Sequence, residues 1–455
     1  MKTFLRILAT ILLISSSAVR LTACSIPNVG DVWIITDGGD LFDKAFNQQV
    51  LTGAQQFATD FNDNRTIISN LPNNEQWKNK SMVTRWIISH DSEVSTLQNN
   101  YNLAIFAGAK TIILSGFHHL GAMTPAIQNH YKNLGVRFIL VDAKLDHPID
   151  VAGLTYSAEQ SAFLAGLAGA IWLAANEETY GTNGGLKMST FGGVPADTIV
   201  SYMMGYYWGV EYFNEKRKSD SHLLDLVNNI RIKISVPPIK TNLALAASKY
   251  TINFYKNKNQ FTNSFDSGTK ESKGITTQLI DDVKNDIVMP VAGGQTIDLV
   301  SAIKNSAVNS NAKIIGVDVD QSVQYDYAKE MFITSALKGI HKSVYIWLWH
   351  AFNLSYDNKT QTPTFKEDNA TSQYFDGTTQ PVLEGKNYTG IANNSAIATI
   401  YQDLTMGDTY WKLAQKVSVL YKKLYNDLAT STKNDKWKQA WQDDVGLNTN
   451  YRPQF

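Results

Sequence analysis

Cysteine is almost missing from this 455-residue chain: Cys24 is the only one, so no disulfide framework exists. Net charge is missing as well. Forty-one basic residues are matched by 41 acidic ones, and nothing in that balance recommends a nucleic-acid partner. Beyond the N-terminal segment no run reaches the roughly 18 apolar residues that a spanning helix needs. The spaced motifs of common catalysts are absent too. Gly184-Gly185-Leu186-Lys187 lacks the spacing of a phosphate-cradling loop, no G-x-G-x-x-G follows the first strand, and neither H-E-x-x-H nor G-x-S-x-G occurs. His118 and His119, with His130 further on, have no nearby cysteine or paired carboxylate to complete a metal-ligand set. The expectation is therefore no metal, no cofactor and no catalytic residue, and the chain is not read as an enzyme.

What is present describes a folded protein: 44% of residues are apolar and 11% aromatic. The length is too great for one core and indicates two lobes or domains. At the N-terminus Lys2 and Arg6 precede the short apolar segment Ile7 to Ile14, which leads to Leu21-Thr22-Ala23-Cys24. That stretch resembles a bacterial lipobox. The resemblance implies removal of residues 1–23 as a signal peptide, a diacylglyceryl group on Cys24, and a body held at the extracellular face of the cell membrane.

Along the chain, Val32-Trp33-Ile34-Ile35 reads as a buried strand that stops at the breaker cluster Asp37-Gly38-Gly39. Leu51, Ala54, Ala58 and Phe61 then share one helical face. Thr66-Ile67-Ile68 is a second strand candidate, 72–81 a surface loop, and a helix follows through Leu97 and Leu103 to Phe106. Thr111 to Leu114, Arg137 to Asp142 and Val151 to Tyr156 are further strands. Strands alternating with helices indicate βαβ units and a parallel sheet, so a first α/β lobe is expected over 24–157. Phe163 to Leu173 is apolar all round and reads as a buried helix. A second α/β lobe, 158–335, has strands expected at Met188 to Gly193, Ile230 to Val236, Ile287 to Gly294 and Lys313 to Asp318. In it a helix is expected around Tyr202 to Val210 and a loop over 253–275. Residues 336–455 return to the lobes with a Trp-rich helix at Val344 to Phe352, an Asn/Thr-rich surface stretch over 354–385 and amphipathic helices over 408–442.

Several strands end in small or acidic residues: Asp37-Gly38-Gly39, Ser115-Gly116, Gly192-Gly193, Gly293-Gly294 and Asp318-Val319-Asp320-Gln321. Ligands of open α/β sheets bind beyond the carboxyl ends of strands, where glycine lets a ligand approach the backbone and Asp accepts from hydroxyls. Phe46, Phe117 and Tyr202 near these ends offer rings for a flat ligand.

These segments resemble one family, the basic membrane protein family of substrate-binding lipoproteins, which includes purine nucleoside receptors of ABC importers. Asp43-Lys44-Ala45-Phe46-Asn47 followed by Gly53 is similar to its D-K-S-F-N…G. Ser115-Gly116-Phe117 is similar to its G-x-G-F strand end, and Ala162 to Gly166 to its S-F-L-A-G. Gly192-Gly193 with Tyr202-x-x-Gly205-Tyr206-x-x-Gly209-Val210, then Ser264-Phe265-Asp266, Val291 to Gly294, Gly316 to Gln321 and Ser335 to Lys338 continue the series in order. The resemblance implies a two-lobed type I periplasmic-binding fold, each lobe a parallel-sheet α/β sandwich, with extra C-terminal helices. It also implies a nucleoside held between the lobes and handed to ABC permease subunits. Phe46 and Tyr202 would flank the base, and Asp37, Asn47, Gly294, Asp318 and Lys338 would be polar contacts. Phe117 and His118 would stand at the ligand as well. The family usually has an Asp shortly after its G-F, whereas this chain has Gly116-Phe117-His118-His119. A sugar receptor of the same fold and a surface adhesin that has lost solute binding stay open as alternatives.

Overall fold

The computed structural model describes residues 30–181, 184–256, 259–357, 360, 362–365, 382–383, 388–429 and 441. The signal-peptide and Cys24 expectations, and most of 354–385 and 430–442, lie outside these residues.

Two six-stranded sheets organise the chain. The first contains β1 (Val32–Thr36), β2 (Thr84–Ile87), β3 (Thr111–Ser115), β4 (Arg137–Val141) and β5 (Val151–Tyr156). The second contains β6 (Leu186–Gly192), β7 (Ile252–Tyr255), β8 (Ile287–Val291), β9 (Lys313–Asp318) and β10 (Phe332–Lys338). Both follow the doubly wound parallel order 2-1-3-4-5, that is β2-β1-β3-β4-β5 and β7-β6-β8-β9-β10. The hairpin β11 (Leu354–Asp357) and β12 (Thr362–Phe365) stands apart. Then β13 (Val382–Leu383) adds to β5 in parallel and β14 (Thr389–Ile391) to β10 in antiparallel. The chain therefore passes between the lobes after β5, after β10 and between β13 and β14. A two-lobed protein whose chain crosses between the lobes in this way can close about the crossings as a hinge.

Two expected strands are corrected. Thr66-Ile67-Ile68 lies in a short helix, Arg65–Ser69, with Ile68 buried and Ile67 exposed; the edge strand is β2 instead. Ile230 to Val236 does not form a strand either. Leu223, Leu226, Val227 and Ile230 are buried at i, i+3, i+4 and i+7 of a helix Ser221–Lys233, while Ile232 and Ile234 are exposed. The helical period decided, and the alternating Ile-Arg-Ile-Lys-Ile was only its last turn. Asp220 caps that helix by accepting from the His222 N–H at 2.9 Å. The strand next to β6 is β7, and both it and a helix Lys270–Thr277 fall within or across the edge of the stretch read as a loop.

Of the longer helices, α1 (Phe46–Asp63) leads away from the cleft after β1 and packs on α2 (Ile340–Ala351), whose Val344, Trp347 and Leu348 share a core with Phe57 and Phe61. The second lobe is built on α3 (Ala158–Ala175) and α4 (Asp197–Lys216). α3 is apolar enough to cross a membrane, and all of it is buried inside the protein, as its all-round apolar character suggests. Glycines bring the pair together. A Cβ on Gly166 would lie 2.2 Å from the Tyr206 carbonyl oxygen, one on Gly205 2.3 Å from that of Glu159, and one on Gly209 2.2 Å from that of Phe163. The motif glycines of this segment thus serve helix contact. A last helix, Asp408–Ala429, lies on α3.

Candidate functional site

The carboxyl ends of both sheets face each other around a cavity of about 430 Å³, within the size range of small-ligand pockets. The first lobe contributes Asp37 after β1, the loop into α1 with Asp43, Phe46 and Asn47, Gly116-Phe117 after β3, and Asp142 after β4. The second contributes Thr198 and Tyr202 on α4, Phe265, Gly293-Gly294 after β8, Asp318 at the end of β9, and Lys338 at the end of β10. Lys44 Nζ reaches across to the Gln324 carbonyl at 3.3 Å, so the two lobes touch at the cleft.

Lys338 is the electrostatic centre. Its side chain is 3% exposed, and its Nζ donates to both Asp142 oxygens at 3.1 and 3.0 Å and lies 3.5 Å from Asp318 Oδ1. Burial alone would lower its pKa, but the Asp142 and Asp318 carboxylates outweigh that and raise it above the ordinary value. Lys338 is therefore a charged ammonium at neutral pH. Around it stand the rings of Tyr202 at 5.0 Å, Tyr156 at 5.6 Å and Phe46 at 5.7 Å, within cation–π range. Asp142 and Asp318 hold φ values of +70° and +65°, a left-handed conformation unusual outside glycine. Each strand thus turns at its end to aim a carboxylate at the same ammonium. Two carboxylates with spare lone pairs beside an N–H donor form a pattern that pairs with a diol.

Eight of the nine expected ligand positions line this cavity: Asp37, Phe46, Asn47, Phe117, Tyr202, Gly294, Asp318 and Lys338. Their settings differ. Asn47 is 7% exposed and internally bonded: its Oδ1 accepts from Ser115 Oγ at 2.6 Å and its Nδ2 donates to Asp43 Oδ2 at 3.1 Å. Asp43 also accepts from the N–H groups of Ala45, Asn47 and Gln48, capping α1, and burial pushes its carboxyl up to about 6. Tyr202 is 1% exposed and donates its hydroxyl to Asp318 at 3.0 Å, so it offers the cavity little of its ring. The rings that oppose each other across the cleft are Phe117 and Phe265, 6.4 Å apart and edge-to-face.

His118 is the ninth, and it stands behind the lining. Its backbone N–H donates to Asp37 Oδ2 at 3.0 Å and its Nδ1 lies 2.8 Å from the same oxygen; that carboxylate only accepts, so Nδ1 carries the proton. Its neighbour His119 is buried, with Nε2 on the Ile35 carbonyl at 3.0 Å and Nδ1 on the Tyr101 hydroxyl at 2.6 Å. Burial pushes the His119 imidazole down to about 4, so it is neutral and its two nitrogens are a donor and an acceptor respectively. The adjacent histidines face separate protein partners.

Sequence reasoning missed Asp142 and Phe265. Asp142 follows β4 as Asp37 follows β1, so the strand-end pattern that picked out Asp37 and Asp318 applied to it equally. Phe265 lies in Ser264-Phe265-Asp266, a segment used for the resemblance but not for the site.

Residues 31–226 match the family described as ABC transporter substrate-binding protein PnrA-like. The chain is 24% identical over 294 residues to the ABC transporter nucleoside-binding protein BmpA of Lactococcus lactis subsp. cremoris, a match covering 64% of each. It is 23% identical over 362 residues to the uncharacterized lipoprotein MG040 of Mycoplasma genitalium, covering 68% of this chain and 59% of that protein. The chain thus spans about three fifths of these relatives. A solute-binding protein of an ABC transporter system from Aeropyrum pernix K1 superposes with a TM-score of 0.52 at 16% identity, over 90% of this chain and 99% of that one; this likeness concerns the fold.

Proposed function

As a member of the PnrA-like family of ABC transporter substrate-binding proteins, this chain, we propose, captures a purine nucleoside between its lobes and delivers it to an importer. The observation that carries this reading is the Lys338–Asp142–Asp318 cluster set into an aromatic-lined cavity. The cluster would take the ribose hydroxyls, with the ammonium donating and the carboxylates accepting, while Phe46, Phe117 and Phe265 supply faces and edges for the base. Closure about the three crossings would enclose the ligand, and its release to the permease would reverse that motion. Cys24 would carry a lipid that holds the protein at the extracellular face of the membrane.

Isothermal titration with inosine, guanosine and adenosine, beside ribose, glucose and galactose, tests the ligand. Micromolar or tighter binding of a nucleoside is expected; binding of a sugar alone sinks the nucleoside reading in favour of a sugar receptor. The anchor is tested by metabolic labelling with a fatty-acid analogue, where Cys24→Ala should lose all label.

A further inference from the structure

The two adjacent histidines hold two neighbouring points at the end of one strand. His119 holds the end of β1 through the Ile35 carbonyl, two residues before Asp37, and His118 holds the Asp37 carboxylate itself. Both bonds from His118 fall on Oδ2, whereas Oδ1 makes no hydrogen bond among the described residues. Gly116 makes room for this. It sits at φ +115°, and a Cβ there would stand 2.2 Å from Oδ2 and 2.5 Å from Oδ1. The Asp37 side chain is 14% exposed and lines the cavity. His118 stays out of the lining, with its ring 4.4 Å from that of Phe117. The result is a carboxylate fixed by one oxygen, with the other left as an acceptor open to a donor from whatever fills the cavity.

We propose that His118 is a positioning residue that fixes Asp37 as an acceptor for the edge of the base, and that the pair makes the site selective for 6-oxopurine over 6-aminopurine nucleosides. The proposal rests on the nucleoside reading of the same cavity. A 6-oxopurine carries an N1–H, to which guanine adds an amino group; adenine has a lone pair at N1 beside its 6-amino group. Against a held carboxylate the N1–H donates, while the adenine N1 lone pair meets another lone pair. Where the free oxygen meets N1, a site that bonds the N1–H disfavours a base with a lone pair at that atom, because a desolvated polar group is then left unpaired.

Titration of the purified full-length protein in mild detergent with inosine and with adenosine tests this. Inosine should bind at least tenfold more tightly. Asp37→Asn, whose amide can donate to N1 of adenine, should shift the ratio toward adenosine. His118→Ala should lower the inosine-to-adenosine ratio at least threefold, and His118→Asn should restore it, because the amide N–H takes the place of Nδ1–H. If His118→Ala does not fold, Asp37→Asn still decides. Equal affinities in the native protein, or a ratio that neither Asp37→Asn nor His118→Ala alters, overturn the proposal and leave nucleoside capture intact. Failure of both nucleosides to bind the native protein overturns the reading beneath it.

Discussion

Helices α1 and α4 hold the same place in their lobes, each following the first strand of a 2-1-3-4-5 sheet and each bringing a ring toward the cleft. They are secured in different ways. α1 is fixed at its first turn by hydrogen bonds that the Asp43 and Asn47 side chains accept, and its half-buried Phe46 has no polar atom to satisfy. α4 is fixed along its length by backbone contact with α3, and its Tyr202 is tied to Asp318. Family-like motifs lie at the start of α1 and in the middle of α4, yet one motif shapes the ligand wall and the other mainly holds two helices together. A change in α1 should therefore be felt first in binding, and one in the α3–α4 contact first in folding.

The strongest challenge to that contrast is Lys338→Met, since Lys338 joins the two lobes. It leaves Asp142 and Asp318 buried without their cation. We expect loss of detectable ligand binding and a stability loss of about 3–5 kcal/mol in urea denaturation. Gly209→Val comes next. Its branched side chain would press on the Phe163 carbonyl and the Leu167 N–H, so denaturation should show a loss of about 3 kcal/mol, while the folded fraction keeps its ligand affinity.

Protonation probes the same contact. Glu159 on α3 accepts from Ser418 at 2.5 Å, and burial raises its carboxyl to about 7. An acid whose folded pKa is raised binds its proton more tightly in the native state. Its contribution is therefore full below the unfolded value near 4.5, falls as pH rises, and is gone above about 7. Glu159→Gln should flatten the decline in unfolding free energy between pH 5 and pH 8 by about 3 kcal/mol; an unchanged slope would remove Glu159 as its source. Smaller effects should follow at the cleft rings. Phe46→Ala should weaken ligand binding by about 1 kcal/mol without lowering stability as Gly209→Val does. Tyr202→Phe, which loses the hydroxyl's bonds to Asp318 and to the Ala336 carbonyl, should shift unfolding by about 1 kcal/mol.

Much of this was legible in the sequence. Breaker clusters after β-branched runs located the ends of β1, β3, β8 and β9, and those ends do meet at the cleft. The all-apolar character of Phe163 to Leu173 marked a buried helix. Where two periodicities overlapped, as at Ile230 to Val236, the local alternation misled, because burial of Leu223, Leu226, Val227 and Ile230 is settled by what the helix packs against. Asp142 and Phe265 escaped notice for a related reason: pattern marks a strand or loop end but not which ends converge.

By itself the sequence determined the alternation of strands and helices, the polar and glycine-rich strand ends and the lipobox-like start, all of which are local properties of neighbouring residues. Only the tertiary structure decided that Asp142 and Asp318, 176 positions apart, share one ammonium. It also placed His118 behind Asp37 and turned the Tyr202 hydroxyl onto Asp318. The physical reason is that a charge or a hydrogen bond is satisfied by whatever lies within about 3 Å in space, and separation along the chain does not encode that distance.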